Sequence, residues 1–153
     1  MDEKELLQDL FSKKHELRNT ATRALWDLWY SQAGEEAEFR IREGTRLMNN
    51  HLHEEAQMAF ENIVSDFPDF AEAHNKLATM LYMRGEYSQS VKECEITLKL
   101  NPNHFGAWNG LGLCLFHLAR YQEAIQSFET ALTIQPYSEF NRISIAKCRG
   151  QLN

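Results

Sequence analysis

Six histidines and three cysteines carry most of the chemical potential of this 153-residue chain, and their spacing decides what they can do. His51-x-His53, followed by Glu54 and Glu55, is the one arrangement that could begin a metal site, because two imidazoles on a turn can share a cation. The neighbouring sequence offers no third protein ligand, so the motif reads as a polar turn. Cys94, Cys114 and Cys148 are odd in number and form no CxxC, which fits neither a disulfide framework nor zinc. They read as small core hydrophobes in a reducing compartment. His74 reads as a packed core ring and His117 as a solvent-facing ring near a helix end, while His15 and His104 have no partner that spacing identifies. No nucleophile elbow or phosphate loop occurs. The expectation is therefore no catalytic residue, no metal, no cofactor and no enzyme.

Composition points to association instead of chemistry. Hydrophobic residues make up 43% of the chain and aromatics 11%, enough to build a core in one domain. No apolar run approaches the ~20 residues of a membrane span, and the acidic start Met1-Asp2-Glu3-Lys4-Glu5 is unlike a targeting segment. The expected setting is the cytoplasm or another reducing compartment, with an organelle stroma open if a targeting segment has been removed. A net charge of −6 argues against nucleic acid, which calls for clustered Lys and Arg. From Glu35 to Glu72 ten acidic residues face three arginines, whereas Arg142, Lys147 and Arg149 gather near the end. A basic ligand would prefer the acidic stretch.

Behind these residues lies a period. Pro68, Pro102 and Pro136 are 34 residues apart, and the stretch before the last of them reads Trp108-x-x-Leu111-Gly112-x-x-Leu115, then Ala124-x-x-x-Phe128, Ala131 and Pro136. One period earlier stand His74, Leu77, Ala78, Leu81, Ser90, Cys94, Thr97 and Pro102; two periods earlier, Arg40, Glu43, Gly44, Leu47, Ala56, Phe60, Ile63 and Pro68. Gly44, Ala78 and Gly112 share a register without bulk, as do Ala56, Ser90 and Ala124, which is what two closely packed helices require. The pattern of large and small residues resembles the tetratricopeptide repeat (TPR) over residues 37 to 138. The resemblance implies an all-α fold, a right-handed superhelix of antiparallel helix pairs, with repeats at 37–70, 71–104 and 105–138.

The flanks read as additions. Residues 1–36 form a helical hairpin or a degenerate repeat: Asp2 with Glu5 makes a capping box, and Asn19 or Thr20 starts a second helix carrying Leu25, Trp26, Leu28, Trp29 and Tyr30. Trp26 falls in the register of Phe60 and Phe128. Residues 139–153 read as a capping helix that starts after Ser138 and closes the open end of the array.

The resemblance implies that the first helix of each repeat lines a concave groove for a peptide or an amphipathic helix. Spacings of three and four put Glu38, Ile41, Thr45 and Met48, then Glu72, Asn75, Thr79 and Tyr82, then Gly106, Asn109, Leu113 and Phe116 on that face. Met48, Tyr82 and Phe116 make an apolar ladder; Asn75 and Asn109 repeat an amide able to bond an extended backbone. Lys76 and Arg42 would serve an acidic neighbour. The hairpin's aromatics could also fill this face from within. TPR co-chaperones that grip the acidic tail of heat-shock chaperones use a lysine and asparagine, then an asparagine, then a lysine and arginine. Here those places hold Ile41 and Thr45, then Lys76, then Gly106 and Gly110, so that clamp is expected to be absent. The reading is a non-enzymatic adaptor or assembly factor with a protein partner; the alternative is a structural subunit that forms a homodimer through apolar surface.

Overall fold

The computed structural model describes every residue from Met1 to Asn153 and is entirely helical. Nine helices follow one another: α1 Glu3–Asp9, α2 His15–Tyr30, α3 Glu35–Asn49, α4 His53–Asp66, α5 Ala71–Met83, α6 Tyr87–Leu100, α7 Phe105–His117, α8 Tyr121–Ile134 and α9 Glu139–Leu152. From α3 onward each helix packs on the next, and α3, α5 and α7 also touch one another, so they form the inner layer of a curved stack. None of the nine is long and apolar enough to cross a membrane.

The 34-residue period fixes the breaks. Helices α4, α6 and α8 each end two residues before a proline, because the residue preceding proline is driven out of the helical region. Six residues after each proline a side chain donates back to its carbonyl: His74 Nε2 to Pro68 (2.8 Å), Trp108 Nε1 to Pro102 (2.9 Å) and Arg142 Nη1 to Pro136 (3.4 Å). Three different residue types thus tie the same corner. Within each pair the turn passes through a left-handed residue at one register: His51 (φ 62), Gly85 (φ 77) and Ala119 (φ 59).

The small-residue registers are close approaches. A Cβ added at Gly44 would lie 2.5 Å from the Phe60 ring, and one at Gly112 would lie 2.6 Å from Phe128. The middle pair holds Ala78 and Cys94 at those two positions, both buried in one cluster, so an extra methyl faces a smaller partner. All three cysteines are free and buried.

The ends show which local signals held. Asp2 and Glu5 exchange the two bonds of a capping box, and the Ser138 side chain accepts from Asn141 N–H. The second hairpin helix begins at His15, with Lys14 as its cap and no side-chain bond there, earlier than the Asn19 or Thr20 start expected from sequence. Tertiary contact explains the extra turn, since Arg18 reaches back to the Ser12 carbonyl (2.8 Å) and lies 4.2 Å over the Tyr137 ring.

Candidate functional site on the concave face

The concave layer is divided into a covered part and an open part. The hairpin α1–α2 covers the N-terminal ends of α5 and α7. Trp29 is fully buried and stacks on the His104 imidazole with centroids 4.6 Å apart, while Trp26 meets the same imidazole edge-on at 5.2 Å. A Cβ at Gly106 would lie 2.7 Å from Trp26, so that glycine leaves the hollow the indole enters. Leu6 and Leu10 of the hairpin join Trp29 and Phe105 in one apolar cluster.

Beneath those rings sits a polar pair that sequence spacing did not reveal. Glu72 and His104 are both inaccessible to solvent, and His104 Nε2 donates to Glu72 Oε2 at 2.7 Å. His104 Nδ1 accepts from Ala107 N–H at 3.0 Å, capping α7, which fixes the tautomer. Glu72 Oε1 also accepts from Asn75 (3.2 Å) and faces the Lys76 ammonium at 4.0 Å. A carboxylate so enclosed needs these partners. One signal could have exposed His104: it stands one period before Ser138, at the same capping position.

Several side chains expected on the open face are used internally. Ile41 is completely buried between the first two helix pairs, against the expectation that a partner would touch it; the curvature of the stack turns that register inward. Lys76 and Arg42 are not free for an acidic neighbour. Lys76 faces Glu72 and lies over the rings of Tyr30 (5.3 Å) and Trp26 (5.8 Å), and Arg42 is tied to Glu38, Asp27 and the Tyr30 ring. Thr45 and Thr79 donate to the carbonyls of Ile41 (2.7 Å) and Asn75 (3.0 Å), four residues back. Met48 is half-buried against the same apolar cluster that holds Ile41 and Phe60. The His51 and His53 rings stand 5.9 Å apart, edge to face, His51 on the turn and His53 at the first position of α4.

The open part runs toward α9. A cavity of about 330 Å³ is lined by Asn75, Thr79, Tyr82, Asn109 and Leu113, and one of about 250 Å³ by Tyr82, Leu113, Phe116, Phe128, Phe140 and Lys147. Tyr82 and Leu113 border both, so the two lie side by side. The Asn109 side-chain oxygen has no partner within the chain. The Tyr82 hydroxyl bonds His117 Nε2 at 3.2 Å, and that imidazole stacks on Tyr87 at 4.5 Å, nearly parallel. Burial, with Tyr87 and Cys114 nearby, pushes the Tyr82 phenol up from its ordinary value, so it stays protonated.

A stack of antiparallel helix pairs with an inner face built for contact defines the class: a helical-repeat interaction fold. The chain belongs to the TPR family, and residues 49–131, just over half of it, match the family described as "Anaphase-promoting complex, cyclosome, subunit 3". A TPR repeat-containing protein of Rhizobium etli is 35% identical over 69 residues, covering 45% of this chain and 34% of its own. The peroxisomal targeting signal receptor of Candida glabrata is 30% identical over 98 residues, covering 61% of this chain and 16% of the receptor. The chain thus spans about a third or less of these relatives' length. Among solved structures, the first TPR of Spaghetti (RPAP3), bound to an HSP90 peptide, matches with a TM-score of 0.73 at 17% identity, covering 74% of this chain and 90% of that one. The Sgt2 TPR domain of Aspergillus fumigatus matches at 0.72 and 18%, covering 76% and 79%. At such identities the structural likeness establishes the fold.

Proposed function

We propose that this chain is a non-enzymatic protein-interaction module that receives a peptide or amphipathic helix along the open part of its concave face. The observation that carries the reading is the pair of neighbouring cavities bordered by Tyr82 and Leu113, apolar toward Phe116 and Phe140 and amide-lined toward Asn75 and Asn109. The Asn109 amide lines the polar end of this surface beside Asn75 and Thr79. Peptides bound to structural neighbours support the mode of binding, since the RPAP3 domains were solved with HSP90 and HSP70 peptides. The ligand class differs on this reading, because Ile41, Thr45, Gly106 and Gly110 supply no carboxylate clamp and Lys76 is engaged by Glu72.

The test is the double variant Tyr82→Ala/Phe116→Ala, used beside the wild type to capture partners from native extract. Both side chains are only partly buried. Helicity should persist while the captured partner is lost. Global unfolding instead would make the ladder core and end the reading.

A second reading, a self-associating structural subunit, draws on α9, where Phe140, Ile143 and Leu152 are 45%, 54% and 45% exposed. A concentration-independent monomer in light scattering would remove it.

A further inference from the structure

The hairpin occupies the concave face in a way that reveals what that face accepts. Its second helix presents Trp26, Trp29 and Tyr30 at i, i+3 and i+4, one side of a helix, to Gly106, His104 and Lys76. Each contact is specific. An indole enters the space a side chain at position 106 would fill, a second indole stacks on an imidazole, and an ammonium lies over a phenol ring.

Four features make this occupant separable from the stack. The hairpin closes much of its own core, with Leu6, Leu10, Ala21 and Leu25 packed between α1 and α2 and its own capping box. Its tether is the short segment 31–34, which ends in Gly34 at φ 94 with nothing within 4 Å of an added Cβ. The covered surface contains Glu72, His104 and Lys76, whose rehydration on release offsets part of the lost apolar contact. The fit is also incomplete: a cavity of about 220 Å³ remains between α2 and the α8–α9 loop, lined by Arg18, Thr22, Gln135 and Tyr137.

We infer that the hairpin is a displaceable built-in ligand, and that the hollow over Gly106 and His104 takes a partner helix with the same chemistry, amphipathic with aromatic residues at i, i+3 and i+4. The inference extends the proposed function and rests on it. A partner long enough to reach from Phe116 to Gly106 competes with α2, so docking of the hairpin lowers its apparent affinity by the fraction of time the hollow is free.

The experiment uses the full chain and a fluorescein-labelled synthetic peptide of residues 15–34 as probe. In Trp26→Ala/Trp29→Ala the hairpin loses its grip while the hollow stays intact, so the peptide should bind roughly tenfold or more tighter than to wild type. Adding Gly106→Ala puts a methyl where the probe's indole must go, and binding should fall back at least to the wild-type level. Hydrogen exchange should rise across residues 3–30 in the double variant and stay unchanged in α7 and α8. The inference is overturned if the double variant binds no better than wild type, if Gly106→Ala leaves its binding unaltered, or if the repeats lose protection with the hairpin. Partner capture that depends on Tyr82 and Phe116 while the probe fails would overturn this inference alone and leave the proposed function standing.

Discussion

Two kinds of hollow in this molecule are formed alike and filled differently. At Gly44 and Gly112 the space belongs to Phe60 or Phe128, fully buried rings from the second helix of the same pair. At Gly106 it belongs to Trp26, a half-buried ring delivered by the hairpin. In the first case both walls are joined by a short turn and sealed by neighbours on every side. In the second, one wall is tethered by a four-residue linker and rests on the buried polar pair Glu72 and His104. A glycine on an inner helix therefore marks close approach in both cases, and only the connectivity of what fills it separates architecture from docking.

The largest expected effect follows from that difference. Phe128→Ala should cost about 3–5 kcal/mol in a urea unfolding experiment, because a buried ring leaves a cavity that rigid helices cannot close. Trp26→Ala, whose ring is only partly buried, should cost less than half of that. Equal losses would erase the distinction between the two hollows. On the glycine side, Gly112→Ala should destabilise by about 1–3 kcal/mol through overpacking against Phe128, despite alanine's better helix propensity. Gly106→Ala should leave urea unfolding of the repeats within about 1 kcal/mol of wild type, because the hairpin that carries Trp26 lifts off instead of straining α7. The middle pair sharpens the point: Gly112→Ala with Phe128→Cys copies Ala78 and Cys94 and should be less destabilising than the sum of the single changes.

Much of the first kind of hollow was legible in sequence; of the second, only the possibility that the hairpin's aromatics fill the inner face was. Gly44, Ala78 and Gly112 announce close approach because one period repeats them opposite Phe60, Cys94 and Phe128, and prolines mark where helices stop. Periodicity carries no such information about a segment outside the array. Trp26 falls in the register of Phe60, yet it packs on Gly106, eighty positions along the chain, through a contact no local pattern encodes. Glu72 and His104 were opaque for the same reason: a buried carboxylate and imidazole on adjacent pairs look like surface residues until a cover is known. Ile41 was misplaced because three-and-four spacing gives a shared face but not how far curvature turns that face inward. Met48, Tyr82 and Phe116 are each half-buried, and spacing alone does not say what packs over such a stripe.

A smaller effect compares two corners of the same register, His74 on Pro68 and Trp108 on Pro102. The indole is neutral at every pH, whereas both His74 nitrogens face acceptors, Glu93 at 2.7 Å and the Pro68 carbonyl at 2.8 Å. Burial works against the charge on His74, but the Glu93 and Pro68 bonds outweigh it and raise its pKa above 6.5. A raised folded-state pKa means stabilisation that is complete below the unfolded value and fades as pH climbs through the folded one. His74→Gln should therefore cost about 1 kcal/mol near pH 5.5 and progressively less toward pH 8.5, read from urea midpoints. A cost that is flat with pH would show that the imidazole serves this corner neutral, as the indole does.

The smallest effect tests the turns that join each pair. Ala119 holds φ 59 where Gly85 holds φ 77, so one register carries a residue with a Cβ and one without. A left-handed alanine costs about 1–2 kcal/mol, partly offset because glycine gives the unfolded chain more freedom. Ala119→Gly should then stabilise by about 0.5 kcal/mol and Gly85→Ala should destabilise by at least that much. The opposite signs are the informative outcome, since Ala119 is exposed and an added Cβ at Gly85 meets nothing within 4 Å, so packing changes little at either position. Equal signs would mean that these turns relax when substituted, and the separation of sealed hollows from a detachable one would lose its premise, because helices whose joints yield cannot hold Phe128 against Gly112 more firmly than a tether holds Trp26 against Gly106.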